Sequence, residues 1–278
     1  MITTRRFLAG LLALAVMGLA VLGYAYATAV ADPVVRRTKV SLADWPVGAR
    51  PIEVLLISDI HVTGPDMPPE RLARIVLQIN RLAPDLVLLA GDFIGDKRAS
   101  TRHYPVAEAL APLRRLRAPA IAVLGNHDHW RSAAETRTAM AHAGIVVLDN
   151  AAISAGPLNV GGLDDDFTHR ADLPAMLAAM EGRRGARVIL SHSPDPFPNV
   201  PGDVGLMLAG HTHCGQIRLP WYGAVSTMSE YGDRYACGRV DEAGKTLIVG
   251  AGVGTSILPL RLGAVPDMWL IALGPRRQ

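Results

Sequence analysis

Five apolar runs in this chain each stop at a residue able to hold a metal ion: LLISDIH at 55–61, LLAGD at 88–92, VLGNHD at 123–128, ILSH at 189–192 and LAGHTH at 208–213. A buried strand that ends abruptly in a polar ligand is rigid along its length and opens into a crevice at its tip. A chain that repeats this construction commits its strand ends to one shared site.

The spacing between the runs predicts the elements. Residues 52–57 (IEVLLI), 86–90, 120–124, 145–148, 188–190, 204–209 and 246–249 are short apolar runs suited to buried strands. Between the early ones, 69–82 carries Leu72, Ile75, Val76 and Ile79 on one helical face behind Pro68-Pro69, and 105–116 and 132–143 also read as helices, although Pro112 interrupts the second. The later connections are rich in Gly and Pro. An α/β core with mixed sheets follows. Periodicity alone leaves open whether the strands lie in one sheet or two.

Asp59 and His61 are two apart, so an extended backbone would turn both to one face. Asp92 supplies a carboxylate with one oxygen for each of two cations, Asn126 an amide oxygen, and His192, His211 and His213 imidazole nitrogens. Mixed oxygen and nitrogen donors favour two divalent transition-metal ions, Mn²⁺ or Zn²⁺ before Fe, over an all-oxygen Mg²⁺ or Ca²⁺ site. Two such ions ~3.5–4 Å apart clamp the attacking and leaving oxygens of an in-line displacement and supply a nucleophile from water, so hydrolysis at phosphorus is the expected reaction. His127, next to Asn126, is placed to donate a proton, with Asp128 expected to hold its other ring nitrogen.

Residues 7–31 hold no charge and are long enough to cross a ~30 Å hydrocarbon layer as a helix. The segment 1–31 is expected to be a single-pass anchor in a bacterial inner membrane; the alternative is an export signal cleaved at Ala29-Val30-Ala31, and Arg5-Arg6-Phe7-Leu8 is similar to a twin-arginine signal that lacks its spacer residue. Arg5 and Arg6 on one side and Arg36, Arg37 and Lys39 on the other leave the orientation open. Residues 32–50, polar and marked by Pro33 and Pro46, are expected to be a lead-in to one catalytic domain at 51–278. A net charge of +3 dispersed over the chain and 5% aromatic content give no basic stripe, so no nucleic-acid partner is expected. Cys214 and Cys237 could form one disulfide but do not fix the compartment.

The blocks DIH at 59–61, GD at 91–92, GNHD at 125–128, His192 and GHTH at 210–213 resemble the calcineurin-like metallophosphoesterase family over about residues 50–273. The resemblance implies two packed mixed β-sheets with helices on both outer faces. It also implies Asp59, His61 and His213 on one metal, Asn126, His192 and His211 on the other, Asp92 bridging, His127 as proton donor and Asp128 in its support. GHTHCGQIRLP at 210–220 and AGVGTSILPLRLG at 251–263 are similar to a membrane-associated bacterial subgroup that includes a cell-wall-associated phosphoesterase. A related chlamydial enzyme cleaves UDP-2,3-diacylglucosamine in lipid A synthesis. The implied partner is therefore a phosphorylated or lipid-linked small molecule at a bacterial membrane; a nuclease or a non-catalytic metal-bound module are the competing classes. Cys214 stands where that subgroup often has Gly, as a soft ligand or a buried neighbour of the site. Asp164-Asp165-Asp166 reads as a solvated loop, His103, His129, His142 and His169 as non-catalytic, Gly250, Gly252 and Gly254 as close packing beside the site, and Trp221-Tyr222 as either an amphipathic lip or loop packing.

Overall fold

The parallel arrangement those strand ends require is realised twice. In the computed structural model, which describes residues 2–97 and 99–276, the helix α1 (Ile2–Val30) precedes β1 (Val34–Leu42), β2 (Ile52–Ile57), α2 (Pro69–Leu82), β3 (Leu86–Ala90), α3 (Val106–Leu110), β4 (Ala120–Val123), α4 (Asn126–His142) and β5 (Val146–Val147). The second half runs β6 (Ala151–Ala155), β7 (Leu158–Gly162), α5 (Leu173–Met180), β8 (Ala186–Leu190), β9 (Leu206–Ala209), β10 (Arg218–Leu219), β11 (Gly223–Ala224), β12 (Gly238–Glu242), β13 (Lys245–Val249) and β14 (Asp267–Pro275). Met1, Arg98, Arg277 and Gln278, within the segments 1–31 and 51–278, lie outside the described residues.

One six-stranded sheet has the order β1-β14-β2-β3-β4-β5 and the other β12-β13-β9-β8-β7-β6. Within the first, β2 to β5 are mutually parallel and β14 is antiparallel to β2; within the second, β7, β8, β9 and β13 are parallel and β6 and β12 are antiparallel edges. The sheets pack face to face, with Val54, Leu56, Leu88 and Val123 meeting Val160, Val188, Leu208 and Ile248. Leu55, Ile57, Val87 and Leu89 point the other way, into Leu72, Ile75, Val76 and Ile79 of α2. Ile189, Met207, Leu247 and Val249 on the far side meet Met176 and Met180 of α5. The strands that lead to the site, β2, β3, β4, β8 and β9, are therefore covered on both faces, which is why they read as continuous apolar runs rather than alternating ones. Each fully buried Leu, Ile or Val contributes ~1.5–3 kcal/mol. The protein is an α/β sandwich of two mixed sheets flanked by helices.

Several expectations change. Residues 34–42, expected within a polar lead-in, are an edge strand paired in parallel with all nine residues of β14, and Arg36 Nε donates to the Asp267 carboxylate at 2.5 Å. The polar residues face outward on that edge, so their composition resembled a linker. The 105–116 helix is α-helical only to Leu110, and Pro112 sits in the 3₁₀ turn Ala111–Arg115, which needs no amide hydrogen from that position. Helix α4 starts at Asn126 rather than 132 and breaks at Ser132 (φ −176°, ψ 96°). α1 is long and apolar enough to cross a membrane, as a signal sequence near the start of a chain also is.

Candidate metal centre

The parallel strands of both sheets end on the same side, and the loops leaving β2, β3, β4, β8 and β9 converge there. Asp59, His61, Asp92, Asn126, His192, His211 and His213 are all buried. The His61 and His213 Nε2 atoms are 3.1 Å apart, and His192 Nε2 lies 3.1 Å from both His211 Nδ1 and Asn126 Oδ1. Asp92 Oδ2 lies 3.3 Å from His61 Nε2 and 3.3 Å from His192 Nε2, and so stands between two groups of donors. Asp59 Oδ1 is 3.6 Å from His213 Nε2. Ligand atoms of Asp59, His61 and His213 and of Asp59, Asp92 and His192 fall within 4.8 Å of one another. The seven side chains are thus brought together as two abutting groups sharing Asp92, a donor set that fits a binuclear transition-metal centre.

The local backbone is unusual. Asp59 (φ 49°), His61 (48°), Asp92 (56°), His211 (70°) and His213 (51°) are left-handed, a conformation that costs a non-glycine residue ~1–2 kcal/mol. The extended backbone expected at 59–61 is therefore absent; the strand ends at Ile57 and the two side chains converge through turns. Such strain persists where the surroundings impose it, as functional sites do. Here glycines make the room. A Cβ on Gly252 (φ +73°) would stand 2.5 Å from Asp59 Cβ, and one on Gly91 2.8 Å from His192 Nδ1. Close packing by Gly252, not phosphate cradling, is what the 250–254 run provides.

Backbone carbonyls orient two imidazoles. Since a carbonyl only accepts, His192 Nδ1–H donates to Ala90 O (2.8 Å) and His211 Nε2–H donates to Met228 O (3.1 Å), leaving the lone pairs of Nε2 and Nδ1 aimed into the cluster. Burial holds His61 and His213 well below the ordinary imidazole range and His211 at about 3, so these rings are neutral donors. Burial pushes Asp59 up to about 6 against the pull of His192. For Asp92 burial acts in the same direction, but His192, His61 and His127 outweigh it and hold the carboxyl well below its usual range. Burial would likewise lower His192, and Asp92 outweighs it in raising that ring. Asp92 is the anionic centre of the cluster.

The supporting roles differ from expectation. Asp128 does not reach the His127 ring: its Oδ2 accepts from the amides of Asp92 (2.9 Å) and Gly125 (3.0 Å), and its Oδ1 from those of Phe93 (2.9 Å) and Ile94 (3.3 Å). It pins the 91–94 and 125–128 loops to one another. The partner of His127 Nδ1 is Asp96. Burial disfavours charge on His127, yet Asp92 and Asp96 together raise its pKa. A lone aspartate between Gly95 and Lys97 carries no motif, which is why sequence reasoning missed it. Within the 164–166 run, Asp164 and Asp165 are buried rather than solvated, Asp166 is half-buried, and Asp164 Oδ1 pairs with His129 Nε2 at 2.7 Å. His103, His142 and His169 are exposed.

Cys214 and Cys237 form a disulfide, which closes the 214–237 loop beside His213 and removes Cys214 as a thiolate ligand. A cavity of ≈370 Å³ opens above the cluster, with Asp92, Asn126, His127, His211 and His213 at its base and Trp130, Phe167, Ile217, Met228, Ile257 and Leu258 among its walls. A larger cleft, ≈800 Å³, lies at the opposite end of the strands by Ile52, Leu86 and Ile121; no histidine lines it. The smaller cavity holds the chemistry.

Comparison with known proteins is consistent across the chain. The family model for calcineurin-like phosphoesterases matches residues 52–215. An uncharacterised metallophosphoesterase of Bacillus subtilis, YkuE, is 29% identical over 262 residues, covering 90% of each chain. The phosphodiesterase YaeI of Escherichia coli is 28% identical over 250 residues, covering 84% of this chain and 86% of its own.

Proposed function

Because the chain belongs to the calcineurin-like phosphoesterase family, and so is a metal-dependent phosphohydrolase, we propose that it hydrolyses a phosphoester or pyrophosphate bond from a membrane anchor, on a substrate presented at the cell envelope. The observation that carries the reading is Asp92 Oδ2 standing 3.3 Å from one nitrogen of each histidine group. Asp59, His61 and His213 are assigned to one cation, Asn126, His192 and His211 to the other, and Asp92 to both; Mn²⁺ or Zn²⁺ suits the donors best, with Fe next. When bound at these residues, the two cations would supply positive charge for the phosphoryl oxygens and lower the pKa of a water near neutral pH.

The chain's own groups do the rest. His127 pairs through Nδ1 with Asp96 and, in its protonated form, presents Nε2–H to the leaving oxygen, with Ser256 Oγ 3.4 Å from that nitrogen. Trp130 packs edge-on against His127 at 4.9 Å between ring centroids and limits its rotation. The apolar walls keep bulk water from the reacting phosphorus and strengthen each charge within. The similarity to a phosphodiesterase makes diesters the first substrates to try.

α1 is read as a retained single-pass anchor (1–31) in a bacterial inner membrane, and the catalytic domain begins with β1, so it takes in residues 34–42 as well as 51–278. The disulfide supports a domain on the exported side, since disulfides form and persist in oxidising compartments. Arg36 and Arg37 pair with Asp267 and Glu53 within the folded sheet, so they weigh less against that orientation than a free juxtamembrane cluster would. The motifs at 210–220 and 251–263 support placement in the membrane-associated subgroup. Its UDP-2,3-diacylglucosamine activity needs a cytoplasmic domain, and the disulfide counts against that alternative. In well-folded protein, Asp92→Asn should remove most turnover of an activated aryl phosphodiester, and His127→Ala most turnover of a diester with an alkyl leaving group; near-normal rates would refute the assignment.

A further inference from the structure

We propose that the apolar rim of the metal-centre cavity, formed by the β10–β11 hairpin and the 256–258 turn, sits in the bilayer surface beside α1, so that the site takes phosphoesters directly from the membrane. This rests on the reading of α1 as a retained anchor.

α1 is not a loose tether. Ala25 and Ala29 are buried, the Arg261 amide donates to the Ala25 carbonyl at 2.9 Å, and the Arg71 guanidinium donates to the Ala31 carbonyl at 2.7 Å. Gln78 Nε2 adds a bond to the Pro33 carbonyl at 3.0 Å. The last turns of the helix are therefore fixed on the domain. Tyr24 and Tyr26 remain exposed beside the docked alanines, the residue type that favours the membrane–water boundary. Residues 7–23 rise about 25 Å as a helix, near the thickness of the ~30 Å hydrocarbon layer. The boundary thus falls at the level of Ala25.

Ala25 is also where the rim begins. Leu258 precedes Arg261 by three positions, at most about 11 Å of chain, and Ile257 and Leu258 are 67% and 46% exposed. The next carbonyl, Leu262 O, accepts the Arg218 amide at 2.7 Å and ties the hairpin to the same place. Trp221 and Tyr222 project from its tip at 105% and 71% exposure, with Leu219 and Val225 exposed on its arms. An apolar, aromatic hairpin facing water would be a solubility liability. Set beside a membrane helix, it is an interfacial seat. Ile217, Val225, Ile257 and Leu258 also line the cavity, so the seated surface is continuous with the cavity wall. A phosphoester anchored by acyl chains would reach the cluster without leaving the bilayer.

The test uses the full-length, oxidised protein in vesicles of phosphatidylethanolamine and phosphatidylglycerol. The Trp221-dependent emission, taken as the difference between wild type and Trp221→Phe, should be quenched by lipids brominated near the headgroup, as for a side chain ~5–10 Å below the interface. Trp221→Ser/Tyr222→Ser should hydrolyse a long-chain alkyl nitrophenyl phosphodiester held in the vesicles about tenfold more slowly, and its short-chain soluble analogue within about twofold of wild type. Unquenched Trp221 emission, or equal effects on the two esters, would overturn the proposal. Protein washed from the vesicles by carbonate would overturn it together with the anchor. Failure of wild type to turn over the soluble ester would instead refute the site assignment, and the quenching would still decide the rim.

Discussion

The disulfide offers a prediction whose size follows from chain length. Cys214 and Cys237 are 23 residues apart, and the loop between them carries Met228, whose carbonyl orients His211, and the cavity residues Ile217 and Val225. Loop-closure entropy, −2.1 − 1.5R ln n with n near 23, gives about 3.4 kcal/mol at 25 °C. Cys214→Ala/Cys237→Ala removes the cross-link without burying a stray hydroxyl. At ~2–4 °C per kcal/mol for a domain of this size, the variant should melt about 7–14 °C below the oxidised wild type, and wild type treated with reductant should fall to the same temperature. Because the freed loop releases the acceptor for His211 Nε2–H, turnover should fall as well. The assay is a thermal melt of the full chain in detergent, followed through near-ultraviolet circular dichroism, with thiol titration of protein isolated from the envelope. A melting temperature unchanged within about 2 °C, or two free thiols in the isolated protein, would refute both the constraint and the exported placement.

His127 is useful only as the acid, and its raised pKa keeps that form present until the pH rises through it; activity on a poor leaving group should then fall. Asp96→Asn removes one of the two carboxylates that raise that pKa, so the alkaline limb of kcat against pH should move to lower pH, and an unmoved limb would dissociate Asp96 from His127. His127→Ala should cost ~10²–10⁴-fold with an alkyl leaving group and less with nitrophenolate, which departs without a proton; equal losses measured on the two esters would argue against general-acid catalysis. Gly252→Ala forces a Cβ to 2.5 Å from Asp59 Cβ at φ +73° and should destabilise by about 2–5 kcal/mol in denaturant unfolding, whereas a neutral result would show that the 59–61 turn is free to move.

The strands that end in the site were legible because both their faces are buried, which writes them as unbroken apolar runs bounded by Gly, Ser or Asp. The same logic hid the sheet edges. β1 keeps polar residues on its open side and reads as a linker, and the edges β6 and β12 are short strands rich in Ala and charge; β7, inside the sheet, ends in Gly161-Gly162 and offers no unbroken apolar run. β14, although central, was also missed: its pairing partners β1 and β2 are more than 200 residues away in sequence, and no local pattern reports that. Among the site residues, the ligand types were readable at the strand ends, but the left-handed turn that aims Asp59 was not, since the glycines that make room for its side chain lie at 210 and 252. Proximity in sequence misled once. Asp128, adjacent to His127, binds four backbone amides instead, while Asp96, 31 positions away, takes the ring nitrogen.

The central claim is that one carboxylate, Asp92, joins two metal positions. Its most direct test is the metal content per chain, by elemental analysis of protein loaded with Mn²⁺ and freed of excess, measured alongside turnover of a soluble aryl phosphodiester. Wild type should hold two ions, and Asp92→Asn, which keeps the shape and removes the charge, should hold no more than one and lose turnover. A folded Asp92→Asn protein that retains two ions and normal rates would contradict the account.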